Sequence, residues 1–184
     1  MAKKHRYIQT DIWNESWFAD LTPGAKLVYL HLITNPSTNN AGVYIKREKA
    51  IAFESGIDND EVENYLKELQ ERGEVIIHDD YVIILRHPEF QKWTTSISIA
   101  QAIISDLDSI PPEVIEILQT SNYRYDPIKS EQNFLKEKER ITREFEQREQ
   151  RKNKHKAKKS FSGPEQKKPS SKGDSIYDED IPFG

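Results

Sequence analysis

Between residues 20 and 95 the hydrophobic pattern changes character several times, and each change marks an element. From Ala25 to Ile33 the chain is apolar nearly all round, which predicts a central helix. Its start lies in Thr22-Pro23: the threonine hydroxyl can accept from a free amide, and the missing N–H of proline costs nothing at the first helical position. Asn35-Pro36 ends this helix, and residues 36–42 read as loop. Val43-Tyr44-Ile45 is a short strand, and a second helix is expected over residues 46–54, stopped by Ser55-Gly56. A third helix opens at Asp58, where Asp58 and Glu61 have the spacing of a capping box. Val62, Tyr65, Leu66 and Leu69 then recur at i, i+3, i+4 and i+7, giving one buried stripe. Gly73 follows where a left-handed C-terminal cap is wanted. Two apolar runs, Val75-Ile76-Ile77 and Tyr81-Val82-Ile83-Ile84-Leu85, joined through Asp79-Asp80, predict a tight hairpin.

Upstream, residues 7–18 are rich in aromatics (Tyr7, Trp13, Trp17, Phe18), three or four of which are expected to pack on the first helix as a lid. Downstream, Pro88-Glu89-Phe90-Gln91-Lys92-Trp93 leaves the sheet, and a helix over 98–107 carries Ile99, Ala102, Ile103 and Leu107 on one side. Pro111-Pro112 breaks it and starts a short helix over 113–118, and order is expected to end near Asp126-Pro127. The order helix, strand, helix, turn, helix, hairpin is that of a winged helix-turn-helix. The expected class is therefore α+β: a winged helix-turn-helix domain over 1–95, extra C-terminal helices over 96–128, and a long, largely disordered charged tail. That tail divides into a charged helix over 129–150, a basic disordered linker over 151–173 and an acidic tip over 174–184.

Composition supports a normal domain diluted by a polar segment. Only 35% of the 184 residues are apolar and 32% are charged, against typical values of ~45–50% and ~25%. The net charge of −4 conceals a segregation. Residues 1–128 hold 12 Lys and Arg against 20 Asp and Glu, a balance of −8. Residues 129–172 hold 15 against 7, a balance of +8, and the last twelve residues hold four acids and no base. Such blocks are separate functional regions. No cysteine is present, which excludes disulfides, thiolate metal sites and a cysteine nucleophile. The five histidines have no ligand spacing, and no Walker loop, Gly-x-Ser-x-Gly or Gly-x-Gly-x-x-Gly occurs. No enzyme, metal or cofactor is expected. The longest apolar run, Leu27 to Ile33, contains His31 and is far too short to span a bilayer, and Met1-Ala2-Lys3-Lys4-His5-Arg6 leads into no signal region. The expectation is a cytoplasmic protein.

The ordered set Arg6-Tyr7-Ile8, Asp11-Ile12-Trp13, Trp17-Phe18, Leu21-Thr22-Pro23, residues 26–35, Gly42-Val43-Tyr44, the hairpin after Gly73 and Phe90-Gln91-Lys92 resembles phage replication-initiation proteins. The resemblance is to the N-terminal winged-helix domain of replisome organisers and covers residues 5–110. It implies binding at a phage origin in the bacterial host cytoplasm and recruitment of host helicase-loading machinery. One departure stands out. The third helix, which would enter the major groove, exposes Asp60, Glu63, Glu68 and Glu71 beside Asn59 and Asn64, with only Lys67 and Arg72 opposing them. Asparagines can read adenine edges, but phosphates demand cations, and an acidic helix meets a like-charge penalty. Lys46, Arg47 and Lys49 at the start of the second helix, with Lys3, Lys4 and Arg6, are the candidates to hold the backbone. A solvated or protein-binding face is the alternative for this helix.

Beyond Ser130, pairs such as Glu139–Arg143 and Glu144–Arg148 support a helix at i, i+4, while Phe134, Leu135, Ile141 and Phe145 give a stripe too thin for a core. Arg151, Lys152, Lys154, Lys156, Lys158 and Lys159 form a run expected to remain mobile. It is either a solubilising linker or a sequence-independent phosphate contact with salt-dependent affinity. Past a flexible tether, Asp178-Glu179-Asp180-Ile181-Pro182-Phe183 is similar to the acidic tip of bacterial single-stranded DNA-binding proteins, which ends Asp-Asp-Asp-Ile-Pro-Phe. The resemblance implies docking on host replication and repair proteins, with Phe183 in an apolar pocket, and Gly184 is a departure that moves the terminal carboxylate off it. Folding of the tip back on the basic arm is the other reading. Three functions follow. The first is an origin-binding initiator whose partners are DNA, duplex or single-stranded, and host helicase loaders. The second is an adaptor that captures host proteins without DNA, and the third is a winged-helix transcription regulator. Homo-oligomerisation stays open.

Overall fold

The computed structural model describes residues 5–161, with side chains up to residue 154, and the chain divides into two units, 1–148 and 149–184. Lys3 and Lys4, the tether and the tip at 178–183 lie outside the described residues.

The first unit is α+β. A 3₁₀ turn, Thr10–Asn14, and the short α1, Ser16–Ala19, lead into α2, Pro23–Thr34. Thr22 caps α2 as its spelling predicts, accepting from the Ala25 amide at 3.3 Å. Only part of the aromatic segment closes over α2: Phe18 is fully buried, and Trp17 and Phe18 meet the Tyr29 ring edge-on at 5.1 and 6.0 Å, while Trp13 packs on Phe18 and, like Tyr7, stays more than half exposed. At its other end Asn35 donates to the carbonyls of His31 and Leu32 and to the Tyr44 hydroxyl, satisfying acceptors that the helix leaves open.

Strand β1, Val43–Ile45, is followed by α3, Glu48–Ser55, α4, Asn59–Glu71, β2, Val75–His78, and β3, Tyr81–Ile84. The second helix thus starts two residues later than the sequence suggests, leaving Lys46 and Arg47 ahead of it. The stripe on α4 forms as expected, with Val62, Leu66 and Leu69 buried and Tyr65 packed beside them. Asp58 does occupy the N-cap of α4, but its side chain makes no capping hydrogen bond. Gly73 adopts φ 71°, and the hairpin turns at Asp79-Asp80. The sheet order is β1-β3-β2, antiparallel throughout, with Val43 opposite Ile83 and Val75 opposite Ile84.

Strand β3 is buried on both faces. Val82 and Ile84 join the core made by α2, α3 and α4, while Ile83, with Leu85 just beyond it, joins a second core. The short α5, His87–Phe90, follows, and then α6, Ile97–Leu107, and α7, Pro112–Thr120. These cover the second face through Ile103, Leu107, Val114 and Leu118, together with Tyr123 and Tyr125. The Tyr123 hydroxyl donates to the Ala41 carbonyl at 2.6 Å, tying this layer to the loop before β1. Gly42, at φ 70°, lies against His87 so closely that a Cβ there would stand 2.4 Å from the His87 Cβ.

Order does not end at Asp126-Pro127. A 3₁₀ turn, Asp126–Lys129, leads into α8, Glu131–Phe161. Its thin stripe suffices because α6 supplies the rest of the contact: Ile141 is 1% exposed, and it and Phe134 pack on Ala100, Ile104 and Ile97. The helix continues past residue 150 into the second unit, whose described part is helical to Phe161. Lysine, arginine and glutamine are good helix formers, and Lys152 pairs with Glu149 at 2.6 Å.

Replacing Ile141 with alanine should lower the unfolding free energy by about 2–4 kcal/mol, the cost of emptying a closed apolar site. Urea unfolding of the full chain measures it, and a loss below about 0.5 kcal/mol would show that α8 is not part of the folded body.

Candidate nucleic-acid interface

The face formed by α3 and α4 is the first place where duplex DNA was expected, and most of its cations are engaged within the chain. Lys46 is 8% exposed and ion-paired to Glu54 at 2.5 Å, with His31 Nε2 3.3 Å from the other Glu54 oxygen. Arg47 reaches the hairpin turn, its Nε 3.2 Å from Asp80. Arg72 faces Asp20 at 3.7 Å. Lys49 and Lys67 are exposed and have no ion pair. Asn59 is exposed, and Asn64 donates to the Asp60 carbonyl of its own helix at 3.0 Å.

Among the acids, Glu68 does not belong to a free face. Its two oxygens accept from the Thr22 amide at 2.9 Å and the Thr22 hydroxyl at 2.7 Å, so α4 clamps the start of α2. Asp60, Glu61, Glu63 and Glu71 remain exposed on α4. On the neighbouring α3, Phe53 is 89% exposed, the most exposed large apolar side chain among the described residues. An acidic α4 face and a bare phenyl ring on α3 each suit a protein surface better than a phosphate lattice.

The strongest positive region is the far part of α8. Arg148 closes the first unit, and in the second Arg151, Lys152 and Lys154 are exposed. Lys156, Lys158 and Lys159 lie on the same helix, and their side chains fall outside those described. A helix rises ~1.5 Å per residue, so positions 151–159 of the second unit spread along ~12 Å of its axis.

A third region was not singled out in the sequence. Arg86, directly after β3, is 20% exposed at the side chain, donates to Glu15 at 3.3 Å and lies 3.6 Å from Glu89. Its guanidinium stacks 5.5 Å from the Trp17 ring and 5.7 Å from that of Phe90. Behind it Glu74 is 8% exposed, and its Oε2 has no hydrogen-bond partner, nor do the nearby Tyr29 hydroxyl and Trp17 Nε1. Burial pushes the Glu74 carboxyl up to about 7, against the pull of Arg86 and Arg124. Beyond Arg86 opens a hollow of about 500 Å³ lined also by Gln9, Glu89, Trp93, Arg124 and Asp126. The available sequence signal was local, cations set beside aromatics in Lys92-Trp93 and Tyr123-Arg124-Tyr125. Next in the chain after Arg86, His87 is fully buried beside the Asn39 backbone. Burial, aided by the Arg6 charge, lowers its pKa to about 3, keeping the ring neutral.

Comparisons with protein-family models, curated proteins and solved structures found no match to this chain. Among the described residues no group of three or more His, Asp or Glu side chains is placed to hold a metal ion, and no helix is long and apolar enough to cross a membrane.

The Glu74 proton gives a pH test. The folded protein keeps that proton up to about pH 7, whereas the unfolded chain releases it near ~4.3. Stability from this group is therefore complete below ~4.3 and is lost as pH rises through about 7. Glu74→Gln should match the parent chain at pH 4 and exceed its Tm by roughly 5 °C at pH 8.5. A Tm difference that does not change with pH in thermal scans would refute the assignment.

Proposed function

We propose that this protein is a phage-type DNA replication initiator: a winged helix-turn-helix body, a basic helical arm that holds DNA, and an acidic tip that recruits host replication proteins. The observation that carries the reading is the arrangement of residues 16–85. A hairpin follows the helix pair α3–α4 directly, and β1 closes the sheet against β3, the second strand of that hairpin, rather than against β2. This order supports the reading, because a wing would follow its helix-turn-helix in the same way. In this reading α3 and α4 are the helix-turn-helix and β2–β3 the wing. Origin duplex binds chiefly through Arg148, Arg151, Lys152, Lys154, Lys156, Lys158 and Lys159, where phosphates meet cations and release counterions. Asn59, Asn64, Lys67 and Lys49 add whatever sequence preference the body has. The tip at 178–183 offers apolar and acidic groups to a helicase loader or to a protein that binds single-stranded DNA-binding protein tips.

The test is salt-dependent binding of the full chain to origin and random duplex. Changing Arg151, Lys152, Lys154, Lys156, Lys158 and Lys159 to glutamine should reduce affinity for both duplexes at least a hundredfold at ~50 mM salt and flatten the salt slope. Unchanged affinity would remove the arm from the reading.

A second reading is favoured by the exposed acids of α4 and the bare Phe53 ring on α3. There the body is a protein-binding adaptor and never touches bases. Lys49→Gln with Lys67→Gln discriminates the two, because these are the unpaired cations of that face. The initiator reading expects the preference for origin over random duplex to fall severalfold in gel-shift titrations. The adaptor reading expects neither a preference in the parent chain nor any change in the variant.

A further inference from the structure

Trp93 stands between two hollows. It lines the one of about 500 Å³ described above and a second of about 570 Å³ bounded by Pro127, Asn133, Lys136, Glu137 and Arg140, and Thr94 and Asp126 are likewise shared by both. Both volumes are in the range of small-ligand clefts. The ring is braced rather than loose: it packs edge-on against Tyr125 at 4.8 Å and 71°, and Tyr125 is itself fully buried.

The turn that carries Trp93 is held with equal care. Lys92 adopts φ 57°, a left-handed conformation that residues other than glycine rarely take and that persists only where surroundings enforce it. Those surroundings are visible. The buried Gln91 side chain accepts from the Tyr7 amide at 3.3 Å and donates to the Tyr7 carbonyl at 3.1 Å, and Lys92 Nζ lies 5.3 Å from the Tyr7 ring centre. The chain therefore spends backbone strain to set one aromatic ring between two cavities.

The charges around that ring separate into two kinds. Arg86 is paired with Glu15 and Glu89, and Arg140 with Glu137 and Glu144, so these four carboxylates consume two guanidinium groups. Arg124 in the first hollow and Lys136 in the second are exposed and have no ion pair. One free cation thus stands in each hollow. Asp126, common to both hollows, keeps the net charge low.

We propose that the two hollows form one groove for single-stranded nucleic acid, with a base stacked on Trp93 and the phosphates on either side of it held by Arg124 and Lys136. An aromatic platform flanked by cations is the recognition chemistry of a single strand, because every base presents a π-face once it is unstacked. A duplex keeps its bases inside and presents a dense phosphate array, and a groove with two free cations and Asp126 between them has little to offer it. This site is distinct from the basic helix beyond residue 148 and stands whether or not the initiator reading does.

The experiment therefore uses the full chain with the six arm cations, from Arg151 to Lys159, changed to glutamine. A short oligodeoxycytidine is titrated against tryptophan fluorescence, and the same labelled strand is followed by anisotropy. Saturable quenching is expected, with a salt slope of about −1.4 for two phosphate contacts on a single strand. Trp93→Phe should remove most of the quenching while Trp13 and Trp17 remain. Arg124→Gln with Lys136→Gln, two surface changes that leave the fold alone, should weaken binding about tenfold and bring the slope close to zero. Quenching that survives Trp93→Phe, a slope unaltered in the double variant, equal affinity for a duplex of the same length, or no binding at all would each overturn the proposal. An arm-neutralised chain that binds the strand but has lost duplex affinity supports both this site and the arm as separate elements.

Discussion

Strand β3 is buried on both faces, and the rest of the body is arranged around that constraint. A strand of a three-stranded antiparallel sheet commonly has one wet side, but Val82, Ile83, Ile84 and Leu85 have none. The helices α2, α3 and α4 cover one face of the sheet, while α6, α7 and the Tyr123–Tyr125 segment cover the other. Backbone groups at the strand ends are also paired: the Leu85 amide donates to the Glu74 carbonyl, and the Leu85 carbonyl accepts from the Arg124 amide. Burying apolar surface contributes roughly 25 cal/mol per Å², so removing the second layer would expose a row of branched side chains to water. The helices after the hairpin are for this reason part of the domain's stability.

Charge is distributed on a different principle from apolar area. The body is acidic overall, and several of its basic residues are held by neighbouring acids: Lys46 by Glu54, Arg47 by Asp80, Arg72 by Asp20, Arg86 by Glu15 and Glu89. Two of them, Arg47–Asp80 and Arg72–Asp20, are exposed and add little stability. What they do change is the potential seen from outside, since a cation facing its own carboxylate attracts phosphate weakly. Lys49, Lys67, Arg124 and Lys136 keep their charge available and are dispersed among separate elements. The chain's positive charge is therefore concentrated on α8, whose residues 131–161 hold 11 Lys and Arg against 6 Glu, and its long-range field is strongest there.

The elements were legible where a periodic pattern and its punctuation agreed. The Val62–Leu69 stripe with Gly73, and the two β-rich runs around Asp79-Asp80, gave α4 and the hairpin almost to the residue. The capping at Thr22 was equally readable, because it depends on neighbours in the chain. Features made by residues distant in sequence were not. Glu68 looks like one more solvated acid on a helix, and only the approach of α2 turns it into a clamp. Phe134 and Ile141 look too few for a core until Ala100 and Ile104 meet them. The surroundings of Trp93 are assembled from the segment after the sheet, the turn at Asp126 and the first turns of α8, an adjacency that no local pattern encodes.

The buried carboxyl of Glu74 makes folding and proton uptake a single event. With its pKa pushed up to about 7, this side chain is protonated in a substantial fraction of folded molecules at neutral pH, whereas the unfolded chain carries it almost wholly ionised. Each folding event therefore takes a fraction of a proton from the buffer, and each unfolding event returns it. The apparent enthalpy of unfolding accordingly includes the ionisation heat of whatever buffer is present, so calorimetry in phosphate and in Tris at the same pH will report different values for the same transition.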